Sequence, residues 1–98
     1  MARLDVYENG ANGYFLDVQA DIVYGLTTRL VVPLMPPGIA PIPAKRLNPI
    51  FKVGRQDHVM VTQYLAAIPT SALGPRVGNL RDQHDTVVTA LDMIFLGF

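Results

Sequence analysis

The sequence predicts a small, mainly antiparallel β domain closed by a single C-terminal α-helix, and three observations lead there. Residues 14–22 (YFLDVQADI) alternate with period two, the pattern of a β-strand. Clusters of Asn, Gly and Pro punctuate the first two-thirds of the chain at short intervals. From Leu80 the period changes: apolar residues fall at 80, 87, 88, 91, 94 and 95, which is helical spacing. With 98 residues the chain suffices for one domain, residues 1–98, and is too short for two.

The elements follow in order. Residues 3–7 alternate and form the first strand. The stretch NGANG, residues 9–13, tolerates left-handed backbone and turns the chain into a hairpin with the second strand. In that second strand Tyr14, Leu16, Val18, Ala20 and Ile22 share one face, and Phe15, Asp17, Gln19 and Asp21 share the other. A half-buried strand is expected. Residues 29–34 (RLVVPL) form a third strand, and Pro33, which cannot donate to a ladder, calls for an edge or a bulge. Residues 35–49 hold five of the eight prolines and form a loop, expected to be ordered by Ile39, Ile42 and Leu47 packing on the sheet. Residues 50–54 and 58–65 make a second hairpin across Arg55, Gln56 and Asp57. AAIP, residues 66–69, adds a short strand before the TSALGP turn. Five or so such strands suggest a small barrel or a curled sheet.

The final helix has Asn79 as its N-cap and Asp82 and Asp85 near its positive end, and Gly97 is a natural stop. Leu80, Val87, Val88, Leu91, Ile94 and Phe95 form the stripe expected to be buried. Asp82, Asp85, Thr89 and Asp92 form the polar stripe, and the next member of that stripe is Leu96. Leu96 is therefore expected on the solvent side. Phe98 lies beyond the glycine, where periodicity no longer predicts direction. Asp92 faces the negative helix end, at a cost of about 0.3–1 kcal/mol if exposed.

Composition narrows the function. Half of the residues are apolar, but a chain this short buries only roughly 60–70% of its unfolded surface, so association would help it. Eight basic residues balance eight acidic ones, a poor match for nucleic acid or anionic lipid and no barrier to self-association. No cysteine is present, so disulfides and thiolate metal sites are excluded. The start MARLDVYENG has no apolar signal run, and no stretch approaches the ~18 apolar residues of a membrane span. A soluble cytoplasmic protein is the expectation.

Catalytic constellations are scarce. His58 and His84 have no second ligand at metal spacing. His84 falls on the inner helix stripe and reads as structural, while His58 opens a strand and reads as solvated. Ser71 is the only serine and lacks the flanks of a nucleophile elbow. Phosphate-binding glycine motifs are absent. Thr27, Thr28 and Arg29 could support metal-free phosphodiester cleavage, or they could be polar residues at the start of a strand, facing water. The feature that remains is an exposed apolar tip at Leu96 and Phe98, open to a recognition surface, a dimer contact or local packing.

At this point the chain resembles a known family. VYENGANGYFLDVQADIVYGLTTRLVVPL, the later AAIPTSALGP and the C-terminal LDMIFLGF, with penultimate Gly97, are similar in order and spacing to CcdB toxins of bacterial toxin–antitoxin modules. The resemblance implies an SH3-like barrel with a C-terminal helix, assembled as a homodimer. It implies a toxin that is no enzyme, uses no cofactor, and traps the cleaved-DNA complex of DNA gyrase by binding its A subunit. A cognate antitoxin with a disordered C-terminal segment is the implied neutralising partner. The family's gyrase contacts carry over onto Asp5, Tyr7, Ala20, Ile22, Val23, Asp92, Leu96, Gly97 and Phe98. The family pattern has tryptophan at Leu96, isoleucine at Phe98, lysine at Asp5, asparagine at Asp92 and serine at Ala20. Two alternatives stand beside gyrase poisoning: a metal-independent messenger-RNA endonuclease on the same fold, and a non-poisoning homologue that keeps only antitoxin binding.

Overall fold

Three fully buried side chains in a row set the frame. Val6, Leu16 and Val32 face one another across three strands, in the registers Val6↔Leu16 and Leu16↔Val32. These strands are β1 (Asp5–Glu8), β2 (Tyr14–Asp17) and β3 (Thr28–Met35). Strand side chains alternate, so a slip of one residue would turn the whole row to the opposite face, and the row pins the register. The computed structural model describes residues 2–10, 13–21 and 25–97. It adds β4 (Ile50–Val53), β5 (Gln56–Met60), β6 (Ala66–Pro69), β7 (Arg76–Asn79) and the helix α1 (His84–Leu96). Every pairing is antiparallel, in the order β4-β5-β3-β2-β1-β7, with β6 on β3 beside β5. The sheet curls into a half-barrel, and Val87, Ala90 and Leu91 of α1 join Leu4, Val6, Leu16, Val18, Val32, Leu34, Phe51 and Met60 in one core.

The predicted fold class is the one observed, and the corrections are local. The first strand begins at Asp5 because Leu4 is left-handed, with φ 68°. The second strand ends at Asp17, although the Val18 N–H still donates to the Leu30 carbonyl at 3.0 Å. Its polar face is not solvated, since Asp17 and Gln19 are buried. Pro33 sits at neither an edge nor a bulge. It lies inside β3, opposite Phe15, where the far side of the strand changes partner from β6 (paired up to Val31) to β5 (paired from Leu34). A residue without an N–H is tolerated there because its own carbonyl, facing that junction, still accepts from Val61 at 3.0 Å. Of the three loop residues expected to pack, Ile39 and Ile42 are 53% and 94% exposed, and only Leu47 is half-buried. Buried Asn48 holds the loop instead, accepting from the Ala44 N–H at 3.0 Å and donating to the Met60 carbonyl at 3.1 Å.

The chain passes from β5 into β6 through a 3-10 turn at Thr62–Tyr64. Sequence periodicity missed β7, because Arg76–Asn79 is a four-residue edge strand containing glycine and without alternation. The hairpin between β4 and β5 turns on Gly54 and Arg55 alone, not on residues 55–57. A 3-10 turn, Arg81–Gln83, precedes α1, so Asn79 is not its N-cap; the Asn79 side chain accepts from the Arg81 N–H at 2.7 Å at the entry to that turn, and Gln83 stands at the N-cap of the α-helix. Ala90 replaces Ile94 and Phe95 in the buried stripe. His84 is exposed and lies 3.2 Å from Asp85, whereas His58 is buried, with its ring edge on Tyr14 at 5.0 Å between centroids.

Gly54 and Arg55 both have positive φ, 61° and 72°, as a type I′ turn requires. Left-handed backbone costs a side-chain-bearing residue roughly 1–2 kcal/mol. Arg55→Gly is therefore expected to stabilise the fold by about 0.5 kcal/mol, once the greater unfolded-state freedom of glycine is subtracted. A higher urea midpoint at unchanged slope is the expected readout.

Candidate interaction surface

The C-terminal end of α1 follows from a conflict between helical period and the extent of the core. Val87, Ala90 and Leu91 are buried at spacings of three and four. Ile94 lies on the same stripe by angle, yet it is 40% exposed, and Phe95 and Leu96 are 63% and 62% exposed. The last turn of the helix projects beyond the core. Gly97 then ends it in the left-handed region, φ 84°, with its N–H donating to the Met93 carbonyl at 3.1 Å. The product is a rigid tip with three adjacent large apolar side chains in water, flanked by exposed Asp92. Apolar groups clustered in this way mark protein-binding surfaces. Leu96 stands on the solvent side, as its place in the polar stripe predicted. Ile94 and Phe95 were assigned to the core by period; a signal for their exposure was the stop at Gly97, directly after them.

Asp5 and Tyr7 are placed differently. Both are buried within this single chain, at 3% and 6% exposure. Asp5 accepts from Arg76 Nε at 2.8 Å and Asn79 Nδ2 at 2.9 Å on one oxygen, and from the Ala2 N–H at 2.9 Å on the other. Burial alone would raise the Asp5 carboxyl, but the hydrogen bonds from Asn79, Arg76 and Ala2 outweigh it and bring the pKa down to about 2. The Tyr7 hydroxyl donates to the second Asp5 oxygen at 3.4 Å. Burial, then the charges of Asp5 and Asp17, push the Tyr7 phenol above its ordinary range.

The same face of the sheet carries a second charge pair. Asp17 lies opposite Val31, and Arg29 is two residues before Val31 on that face. Arg29 brings Nε to 2.8 Å and Nη2 to 2.6 Å from one Asp17 oxygen, and only the Nε contact has hydrogen-bond geometry. The Gln19 N–H donates to the other oxygen at 3.0 Å. Burial pushes the Asp17 carboxyl up, and Arg29 and the Gln19 amide limit the rise. Arg29 is thus a buried structural cation and does not face water. Thr27 and Thr28 beside it are exposed.

Of the other predicted contacts, Ala20 is exposed on the connection after β2, while Ile22, Val23 and Phe98 lie outside the described residues. The nine positions therefore do not form one patch on the described chain. Asp92, Leu96 and Gly97 share the helix end, and Asp5 and Tyr7 belong to the buried polar face. Among the described residues no group of three or more His, Cys, Asp or Glu side chains could hold a metal, and no helix is long and apolar enough to cross a membrane.

The comparisons agree with this architecture. A model of the CcdB family, described as CcdB protein, matches residues 3–97. The fold is similar to a solved structure described as an endoribonuclease in complex with its cognate antitoxin from Mycobacterial species. That likeness has a TM-score of 0.77 and 15% identity, and it covers 100% of this chain and 98% of that one.

The charge pairs carry two expectations. Asp17→Ala would leave the buried Arg29 charge without its partner, at a cost of about 3–5 kcal/mol, whereas Asp17→Leu with Arg29→Met should recover most of that loss. Denaturant titration of the three proteins checks it. The second concerns acid. The Asp5 pKa is depressed in the folded state, so its contribution is fully present above the ordinary value of 3.8 and is lost as pH falls toward about 2. Asp17, raised by burial, works in the opposite direction. Asp5→Asn should therefore flatten the fall in stability between about pH 4 and pH 2, a difference on the order of 2 kcal/mol.

Proposed function

This chain belongs to the CcdB family, and from that premise we propose that it is the toxin of a toxin–antitoxin module, binding the A subunit of DNA gyrase and trapping its cleaved-DNA complex. The observation that carries this reading is the α1 tip, where Phe95 and Leu96 are more than half exposed next to Asp92 and the Gly97 cap. The chain acts by binding and not by catalysis, and it needs no cofactor. It works in the cytoplasm as a homodimer, whose two helix ends present the tip twice. By the family resemblance Ala20, Ile22, Val23 and Phe98 also take part in the contact. In this reading Asp5 and Tyr7, buried on the opposite face of the sheet, act by holding β1 in register. A cognate antitoxin, with a C-terminal segment that folds on binding, neutralises it. An antitoxin is also the partner in the similar solved structure.

Leu96 changes the energetics of the contact. Its burial against a target is worth about 1.5–3 kcal/mol, but it lacks the stacking on a target arginine that tryptophan would add, about 0.5–2 kcal/mol. The gyrase contact is accordingly weaker than a tryptophan would make it.

A second reading, a metal-independent messenger-RNA endonuclease, draws on the endoribonuclease of similar fold. It would use Arg29 with Thr27 or Thr28. The burial of Arg29 and its pairing with Asp17 favour the binding reading, since a guanidinium held in this way is not free to meet a phosphate.

Gyrase supercoiling and DNA-cleavage assays on the purified chain test the proposal, beside Leu96→Trp, Leu96→Asp and Gly97→Arg. Cleavage complexes are expected with the natural chain, and at roughly two- to thirtyfold lower concentration with Leu96→Trp, by the stacking energy above. They should disappear with Leu96→Asp and Gly97→Arg, both still folded. No trapped complexes from either the natural chain or Leu96→Trp would set gyrase aside. Antitoxin binding without poisoning would then point to the non-poisoning homologue, and cleavage of labelled RNA to the endonuclease.

A further inference from the structure

The strand β4 ends the sheet on one side, and among the described residues no further strand pairs with it. Its turn dictates which backbone groups are left over. In a two-residue hairpin the residues flanking the turn exchange both hydrogen bonds, and bonded and non-bonded pairs then alternate. Val53↔Gln56 and Phe51↔His58 are therefore the bonded pairs, and Lys52↔Asp57 and Ile50↔Val59 the non-bonded ones. The bond from the Met60 N–H to the Pro49 carbonyl, at 2.9 Å, continues the same alternation. Ile50 and Lys52 consequently turn both N–H and C=O away from β5, toward the open edge.

That edge borders a groove. A hollow of about 780 Å³ lies between Lys45, Arg46, Pro49 and Ile50 on one side and Asp85 and Thr89 of α1 on the other. A smaller one, about 300 Å³, continues past Ile50 between Phe51 and Lys52 and the turn that precedes the helix, at Leu80 and Gln83. Ile50, an apolar side chain shared by both hollows, is 52% exposed. Lys45 and Arg46 ion-pair with no described residue, and the exposed Lys52 lies 3.3 Å from exposed Asp57. Lys45 and Arg46 are thus the two cations without an ion-pair partner along the groove, and Asp85 is the one acid in its lining. A lysine on an edge strand by itself only discourages pairing. Here it stands beside a trough with an apolar floor and two unpaired cations.

We propose that the β4 edge takes an extended acidic segment of a partner polypeptide as an added strand. Its backbone bonds Ile50 and Lys52, its alternate apolar side chains cover Ile50, and its carboxylates meet Lys45 and Arg46. This is the strand-addition mode of peptide recognition, with main-chain bonds for affinity and side chains for selectivity. It stands apart from the helix tip and does not depend on gyrase.

The test is amide hydrogen exchange by NMR on the full chain, with a capped eight-residue peptide of alternating glutamate and valine as probe. At saturation the Ile50 and Lys52 amides should exchange at least about tenfold more slowly, while Phe51 and Val53, already bonded to β5, stay unchanged. Lys45→Glu with Arg46→Glu, and separately a lysine–valine probe, should each weaken binding by about tenfold. A glutamate–valine probe N-methylated at alternate residues should not bind. The proposal is overturned if Ile50 and Lys52 gain no protection, or if the N-methylated probe binds equally well. It is also overturned if these amides are already protected in the free protein in proportion to its concentration, for then a second copy of the chain occupies the edge.

Discussion

Everything in this fold depends on a sheet whose two faces are both buried by so short a chain. One face is conventional: the Val6, Leu16 and Val32 row meets Val87, Ala90 and Leu91 of α1. The other carries Asp5, Tyr7, Asp17 and Arg29, all under 10% exposed. Ionised groups enter such a place only when they are paired and hydrogen-bonded. Asp17 meets this condition through Arg29 and the Gln19 amide, and Asp5 through Arg76, Asn79 and the Ala2 amide. The connections do the rest. Arg29 belongs to β3, and Arg76 and Asn79 to β7, so each buried carboxylate ties its own strand to a neighbour.

That arrangement concentrates the stabilising contacts on the two faces of the sheet. The polar face specifies strand register by charge, while the core specifies it by shape, and both lie away from water. The end of α1 contributes little to either, with Ile94, Phe95 and Leu96 all substantially exposed. Side chains there can vary with little effect on the fold. The turn at Gly54 and Arg55 matters in a different way. It fixes the hairpin phase, and with it the direction in which the β4 backbone points.

Legibility in the sequence followed the strength of each local signal. The alternation at Tyr14, Leu16 and Val18 named the core-facing side of β2, though it also put exposed Ala20 there and missed the burial of Asp17 and Gln19, and the helical spacing located α1 and its glycine cap. Leu96 was legible as a solvent-side residue because it continues a stripe of aspartates and a threonine. Arg29 was not legible as a buried group, since its partner Asp17 lies 12 positions away and pairs with it only when β2 and β3 align. His58 was misplaced for the same reason: the Tyr14 ring that covers it comes from another hairpin. β7 was invisible because an edge strand of four residues needs no alternation of its own once β1 offers it a ladder.

By itself the sequence determined what local chemistry controls: the strand-then-helix order, the presence of two hairpins and the proline-rich loop between them, the stop at Gly97 and the polarity of the stripe that includes Leu96. Its ordered motifs also pointed to the family. The tertiary structure alone decided which charges are buried, where the core ends beneath α1, and which strand edges remain open. The physical reason is range. Turns, caps and periodicity act over a few residues, whereas burial depends on what arrives from elsewhere in the chain. Period can bring Ile94 to the core side of a helix, but only the extent of the sheet beneath decides whether there is a core left to meet it.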